Sequence, residues 1–181
     1  MWGTLSEVAN GRVGQRISLQ RFVLGVLLDD VLLQASTRLN RMSHGRYRLV
    51  RRQEATGGTR ASGLELDVDD TYSGKQRPVA TLSGGESFMA ALALALGLSD
   101  VVQGYAGGIQ LDTLFIDEGF GSLDAEALEQ AIAMLSELQM SGRTIGLISH
   151  VSELKAQMPV RVEVSAARTG SSIQVRGQAG A

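Results

Sequence analysis

Apolar residues recur at intervals of three and four along residues 18–42: Leu19, Phe22, Val23, Val26, Leu27, Val31, Leu32, Ala35 and Leu39. That spacing predicts one long helix of about six or seven turns, mostly core-facing with some apolar positions turned to a partner, and stopped by Ser43-His44-Gly45. The period then shortens. Residues 46–52 are predicted as a strand with Tyr47 and Leu49, and Arg51 with them, on one side. Gly57-Gly58 reads as a turn, and residues 64–68 alternate as an antiparallel partner should. Beyond Pro78, helices alternate with apolar strands. A helix is predicted over 84–102, and a short strand over 113–116, apolar enough to be covered on both faces. Asp124 then caps a helix whose inner side is Leu128, Ile132, Leu135 and Leu138 and which stops at Gly142. Residues 144–148 form a second buried strand, and 160–164 with 171–175 a closing hairpin. This order predicts an α/β fold: a mainly parallel sheet flanked by helices, with an antiparallel hairpin.

Composition narrows the chemistry. The 181 residues fit one domain with a real core. The absence of cysteine excludes disulfides, thiolate zinc sites and thiol catalysis, and two histidines are too few for a histidine-rich metal site. A net charge of -2 gives no global reason to expect nucleic-acid binding. Locally, however, Arg38, Arg41, Arg46, Arg48, Arg51, Arg52 and Arg60 share a stretch whose only acid is Glu54. Such a cluster either neutralises DNA phosphates without regard to sequence or is a solvated face. No secretory signal opens the chain, and the most apolar window, 88–102, is short and broken by Ser99 and Asp100. A cytoplasmic protein is expected.

Four groups of residues carry candidate chemistry. Leu82-Ser83-Gly84-Gly85-Glu86 reads as a capping box, Ser83 with Glu86, at a helix start. The cap does not account for two glycines in the first turn, where each weakens a helix by about 1 kcal/mol relative to alanine; bare amides at a helix start suit a phosphate. Asp117 and Glu118 directly follow an apolar strand, the end of the sheet at which α/β proteins bind ligands. A carboxylate there can hold Mg²⁺ and its neighbour poise water, the alternative being two solvated loop acids. Ser122-Leu123-Asp124 precedes the next helix, with Asp124 a good cap whatever its function. His150 follows the second strand at the same end of the sheet as the two acids.

In this order the residues resemble the ABC ATPase superfamily. Residues 82–86 look like its signature motif, residues 114–117 like its Walker B strand, and Glu118 like its catalytic glutamate. Ser122, Leu123 and Asp124 look like its D-loop, and His150 like its switch histidine. Gly119-Phe120-Gly121 stands where transporter heads carry Pro-Thr, which resembles the coiled-coil DNA-maintenance branch. Within that branch the chain is most similar to the C-terminal part of the SbcC family, ATPase subunits of SbcC–SbcD nucleases. The resemblance implies that Ser83, Gly84 and Gly85 meet the γ-phosphate of ATP held by a second head, that Asp117 holds Mg²⁺, and that Glu118 and His150 are catalytic. It implies ATP and Mg²⁺ as cofactors, and an N-terminal half, a second head, an SbcD-like nuclease and DNA as partners. It also implies a nucleoid-associated location. Residues 1–45 would be a coiled-coil stump and base helix, and 46–181 the C-terminal ATPase lobe. No Gly-x-x-x-x-Gly-Lys-Ser/Thr loop occurs; Ser73-Gly74-Lys75-Gln76 is only a turn, so the chain alone is expected to be inactive. Ser87 stands where some relatives carry arginine. Two rivals remain: a head of another chromosome-organising or repair ATPase without a nuclease, and a non-catalytic interaction module.

Overall fold

The structure, a computed structural model, describes residues 18–52, 64–107, 111–168 and 170–177. Gly57-Gly58, Arg60 and the first part of the expected coiled-coil stump lie outside them. Helix α1, Leu19–Met42, starts at Ser18, whose hydroxyl accepts from the Arg21 amide at 3.3 Å. It ends where His44 and Gly45 take positive φ (50° and 83°), and the Gly45 amide bonds the Asn40 carbonyl at 2.7 Å. Its C-terminal half buries Leu32, Ala35, Leu39 and Met42, a three-four stripe. In its N-terminal half Leu19, Phe22, Val23, Leu24 and Val26 are exposed, in line with the expectation that some apolar residues of this helix do not face the core.

Strands β1 (Tyr47–Arg51), β2 (Leu66–Asp70) and β3 (Lys75–Pro78) form an antiparallel sheet in the order β1-β2-β3. Tyr47, Leu49 and Val68 turn from it into the core. The second strand lies two residues later than its alternation suggests. The third was hidden from hydrophobic patterning, because Lys75, Gln76 and Arg77 have no apolar face.

After a 3₁₀ turn at Val79–Thr81 comes α2, Gly84–Tyr105. By length and composition α2 could cross a membrane, but here Met89, Ala93 and Leu96 are core residues. It crosses α1 in backbone contact: a methyl group on Gly97 would lie 2.8 Å from the Val31 carbonyl oxygen. Strand β4, Thr113–Asp117, pairs in parallel with β5, Thr144–Ile148, through helix α3, Ala125–Met140. Asp124 caps α3, accepting from the Ala127 amide at 2.8 Å, and Gly142 ends it at φ 98°. A short helix α4, Ser152–Gln157, which hydrophobic spacing did not indicate, buries Leu154. The hairpin of β6 (Val160–Ala167) and β7 (Gly170–Gly177) follows.

The fold is therefore α/β, with its parallel pair, flanking helices and antiparallel hairpin. One expectation needs correction. β4 and β5 are covered on one face only: Leu114 and Ile116 pack on the core, whereas Phe115 is 73% exposed and Ile148 55%. A run of three apolar residues cannot tell cover by this chain from cover by another.

The arginine stretch also reads differently in three dimensions. Arg38 pairs with Asp100, Arg41 with Glu137 at 2.5 Å, and Arg46 with Asp70 at 3.2 Å. Arg51 pairs with Asp29 at 2.8 Å, and Arg52 with Asp67. The acids come from distant parts of the chain, so a local count of charge missed them. Five of the seven cations are paired with acids within the fold, and Arg48 is exposed.

Candidate ATPase half-site

Three stretches meet at the carboxyl end of β4: the start of α2, the loop from Asp117 to Asp124, and the residues after β5. Ser83 caps α2. Its hydroxyl accepts from the Glu86 amide at 3.4 Å, while Glu86 Oε2 accepts from the Ser83 amide at 2.9 Å. The capping box is real: the Glu86 carboxylate holds the Ser83 backbone, and the Ser83 hydroxyl sits at the first turn of the helix. The amides of Gly84 and Gly85 belong to the first turn, where a helix offers no acceptor of its own.

The two glycines separate by packing. A methyl group on Gly85 would lie 2.8 Å from the Ser122 carbonyl oxygen, so Gly85 is required by this chain's own loop. A methyl group on Gly84 would meet nothing nearer than Ser122 Cβ at 3.6 Å. The fold makes no steric demand for glycine at 84.

The acids stand on a strained turn. Glu118 has φ 63°, rare for a residue with a side chain, and Gly119 follows at 97°. The Glu118 amide bonds the Ile148 carbonyl at 2.9 Å, tying the turn to β5. Phe88 of α2 lies against Gly119, where a methyl group would come within 2.2 Å of its ring, and meets Phe120 edge-on with centroids 4.9 Å apart. Phe120 is fully buried and anchors the loop. Ser122 Oγ donates to the Gly119 carbonyl at 2.7 Å, and Leu123 reaches the Gly85 position. His150 lies beside Gly121, with Nδ1 3.1 Å from Glu118 Oε2 and 3.3 Å from Oε1. Asp117, Glu118 and His150 are exposed. Strain of this kind, about 1–3 kcal/mol for a left-handed residue, persists where surrounding contacts over-determine it, and it clusters at functional sites.

All the motif residues singled out in the sequence thus fall in one contiguous cluster. Sequence patterning missed what lies behind it. Tyr47 donates to Glu86 Oε1 at 2.5 Å, and Arg46 Nη1 lies 3.4 Å from the same oxygen. Burial and the Glu86 carboxylate push the Tyr47 phenol up to about 12. Burial pulls the Glu86 carboxyl upward, but hydrogen bonds from Tyr47 and Ser83 and the charge of Arg46 outweigh it and hold it below its usual value. The available signal was a tyrosine at a core position of a strand, next to an arginine.

As a metal site the cluster is incomplete: among the described residues no three His, Cys, Asp or Glu side chains gather. Asp117 and its neighbour suit Mg²⁺, which takes one or two carboxylates and completes its shell with water and phosphate oxygens.

Residues 59–137 match the family model described as SbcC/RAD50-like, Walker B motif. The SbcC subunit of the SbcCD nuclease of Vibrio cholerae serotype O1 is 67% identical over 173 residues, covering 96% of this chain. Over nearly its whole length the chain is similar to SbcC/RAD50-like proteins. The Staphylococcus epidermidis protein of the same name is 51% identical over 95% of the chain. The chain spans 17% of the length of each of these two relatives. Among solved structures, one of an SMC ATPase, from work on ATP-driven dimerization and DNA-stimulated activation, superposes with a TM-score of 0.64. It covers 87% of this chain and 89% of its own at 17% identity, which shows a shared fold. The SbcC/RAD50-like match takes in residues 82–86, Asp117, Glu118 and 122–124, and stops short of His150.

Proposed function

We propose that this chain supplies the C-terminal half of an ATP-hydrolysing head in an SbcC-type DNA-repair ATPase. In this reading ATP-driven dimerisation of two heads, and their release on hydrolysis, gate DNA access for an SbcD-like nuclease. The observation that carries it is the contact chain from Gly85 through Ser122, Gly119 and Gly121 to His150 and Glu118, which joins a phosphate-type helix start to a paired-acid turn.

The roles follow from the chemistry of each group. Ser83 donates its hydroxyl, and Gly84 and Gly85 their amides, to the γ-phosphate of a nucleotide held by the opposing head. Asp117 holds Mg²⁺, which when bound neutralises phosphate charge. Glu118 orients the attacking water and accepts its proton. His150 holds the Glu118 carboxylate and reaches toward the same phosphate. Ser122, Leu123 and Asp124 fix the loop against the signature start, so that the two parts move together. The phosphate loop comes from the family's N-terminal half, since this sequence has none, and the chain by itself is inactive. The bare face of β4 and β5 suits that half as its cover. A cytoplasmic, nucleoid-associated location without a membrane goes with this function.

Ser83→Arg in the complete ATPase tests the arrangement. Loss of the cap costs about 1 kcal/mol, which the fold tolerates. ATP-driven association of heads, followed by light scattering or crosslinking, is expected to weaken by about a hundredfold, with ATP binding to each head retained. Unchanged association would remove the signature from the interface.

A further inference from the structure

The first turn of α2 rests on a polar cluster that the ATPase roles above leave unused. The Tyr47 hydroxyl donates to Glu86 Oε1 at 2.5 Å and accepts from Arg77 Nη2 at 3.4 Å. Arg77 Nη1 in turn donates to the Thr81 carbonyl at 2.8 Å and the Thr81 hydroxyl at 2.6 Å. Glu86 Oε2 accepts from the Ser83 amide. Residues on both sides of Leu82 are therefore tied, each through one intermediary, to a single phenol.

The phenol is itself fixed. Tyr47 is 2% exposed, and the Arg46 guanidinium lies 4.6 Å over its ring. Arg46 bonds both oxygens of buried Asp70 at 3.2 Å. Asp70 also accepts from the amides of Tyr72 and Ser73, at 3.1 and 3.4 Å, in the turn before β3. The Tyr47 amide donates to Ser43 Oγ at 3.0 Å, and Ser43 is the residue that closes α1.

Packing does not require this hydroxyl. Phenylalanine would fill the same core volume, and the capping box itself uses only Oε2 of Glu86. A buried hydroxyl costs free energy unless it is paired, and here its pairing fixes one rotamer of Glu86. Glu86 Oε2 accepts from the Ser83 backbone amide, so the way the carboxylate is held bears on the backbone from which the Ser83 hydroxyl projects.

We propose that Tyr47, backed by Arg46 and Arg77, is a positioning residue for Ser83. It locks the Glu86 carboxylate so that Ser83 presents its hydroxyl toward the γ-phosphate on the opposing head, and it ties that orientation to the end of α1. The inference rests on the ATPase reading above and adds to it the group that sets nucleotide affinity at the signature.

The test is steady-state ATP hydrolysis by the full-length ATPase in its nuclease complex, across ATP concentration, for Tyr47→Phe and Arg77→Met. Each is expected to raise KM about tenfold, the equivalent of one hydrogen bond to a charged group, with kcat at saturation within about twofold of wild type. Tyr105→Phe removes a hydroxyl that donates to Asp30 at 2.8 Å on the far part of α2, and should leave KM unchanged. Arg77→Met decides the matter if Tyr47→Phe is insoluble. An unmoved KM in the soluble variants, or a lowered melting temperature as the only change, overturns the inference while Glu118-dependent turnover still stands. A wild-type complex without Glu118-dependent turnover sinks the ATPase reading and this inference with it.

Discussion

Replacing Glu118 with glutamine in the complete ATPase is expected to lower kcat for ATP by about a hundred- to a thousandfold, the usual contribution of a positioned general base. ATP-driven association of the heads should survive. Glutamine has the same length and reach but no basic oxygen able to take a proton from water. Its backbone is held independently of the side chain, by the Ile148 carbonyl at 2.9 Å and by Gly119 at φ 97°. The His150 contact at 3.1 Å is between exposed groups, so its loss changes stability little. Heads that associate on ATP and stay associated are the expected signature of the variant. Turnover within about twofold of wild type would assign the base to another residue.

Gly119→Ala is expected to act on the fold instead. A methyl group there would lie 2.2 Å from two carbons of the Phe88 ring, on a backbone at φ 97° that side chains rarely adopt. Phe88 cannot retreat freely, because it packs edge-on against buried Phe120. The strain and the overpacking together should lower unfolding free energy by about 2–4 kcal/mol in urea titrations. Gly142→Ala is the comparison, with φ 98° but no atom within 4 Å of the added methyl group. It should cost only about 1 kcal/mol, the backbone part alone. Equal losses in the two variants would mean that Phe88 does not hold the acid turn.

These two residues illustrate what the chain makes legible. Gly119 and Glu118 stand out in the sequence as a tight turn bearing acids at a strand end, because local chain chemistry shows as local pattern. The caps at Ser83 and Asp124 and the helices they start were equally readable, since three-residue reciprocity and three-four spacing lie within one window. Strand β3 was not, because an edge strand of Lys, Gln and Arg has no apolar face to betray it. The partners of Arg38, Arg46 and Arg52 were not either: Asp100, Asp70 and Asp67 lie 62, 24 and 15 residues away. For the same reason the Tyr47–Glu86 contact, across 39 residues, escaped notice. The exposed face of Phe115 was misjudged for another reason. Apolar spacing records that a surface is covered, not which chain covers it.

The central claim is that this chain is one half of an ATP site and needs the other. The most direct measurement is ATP hydrolysis by this chain alone, then mixed with a separately made N-terminal half, with the Glu118→Gln chain in the same mixture. The account predicts no turnover alone, turnover in the mixture, and its loss with Glu118→Gln. Genuine Glu118-dependent turnover by the chain alone would contradict it.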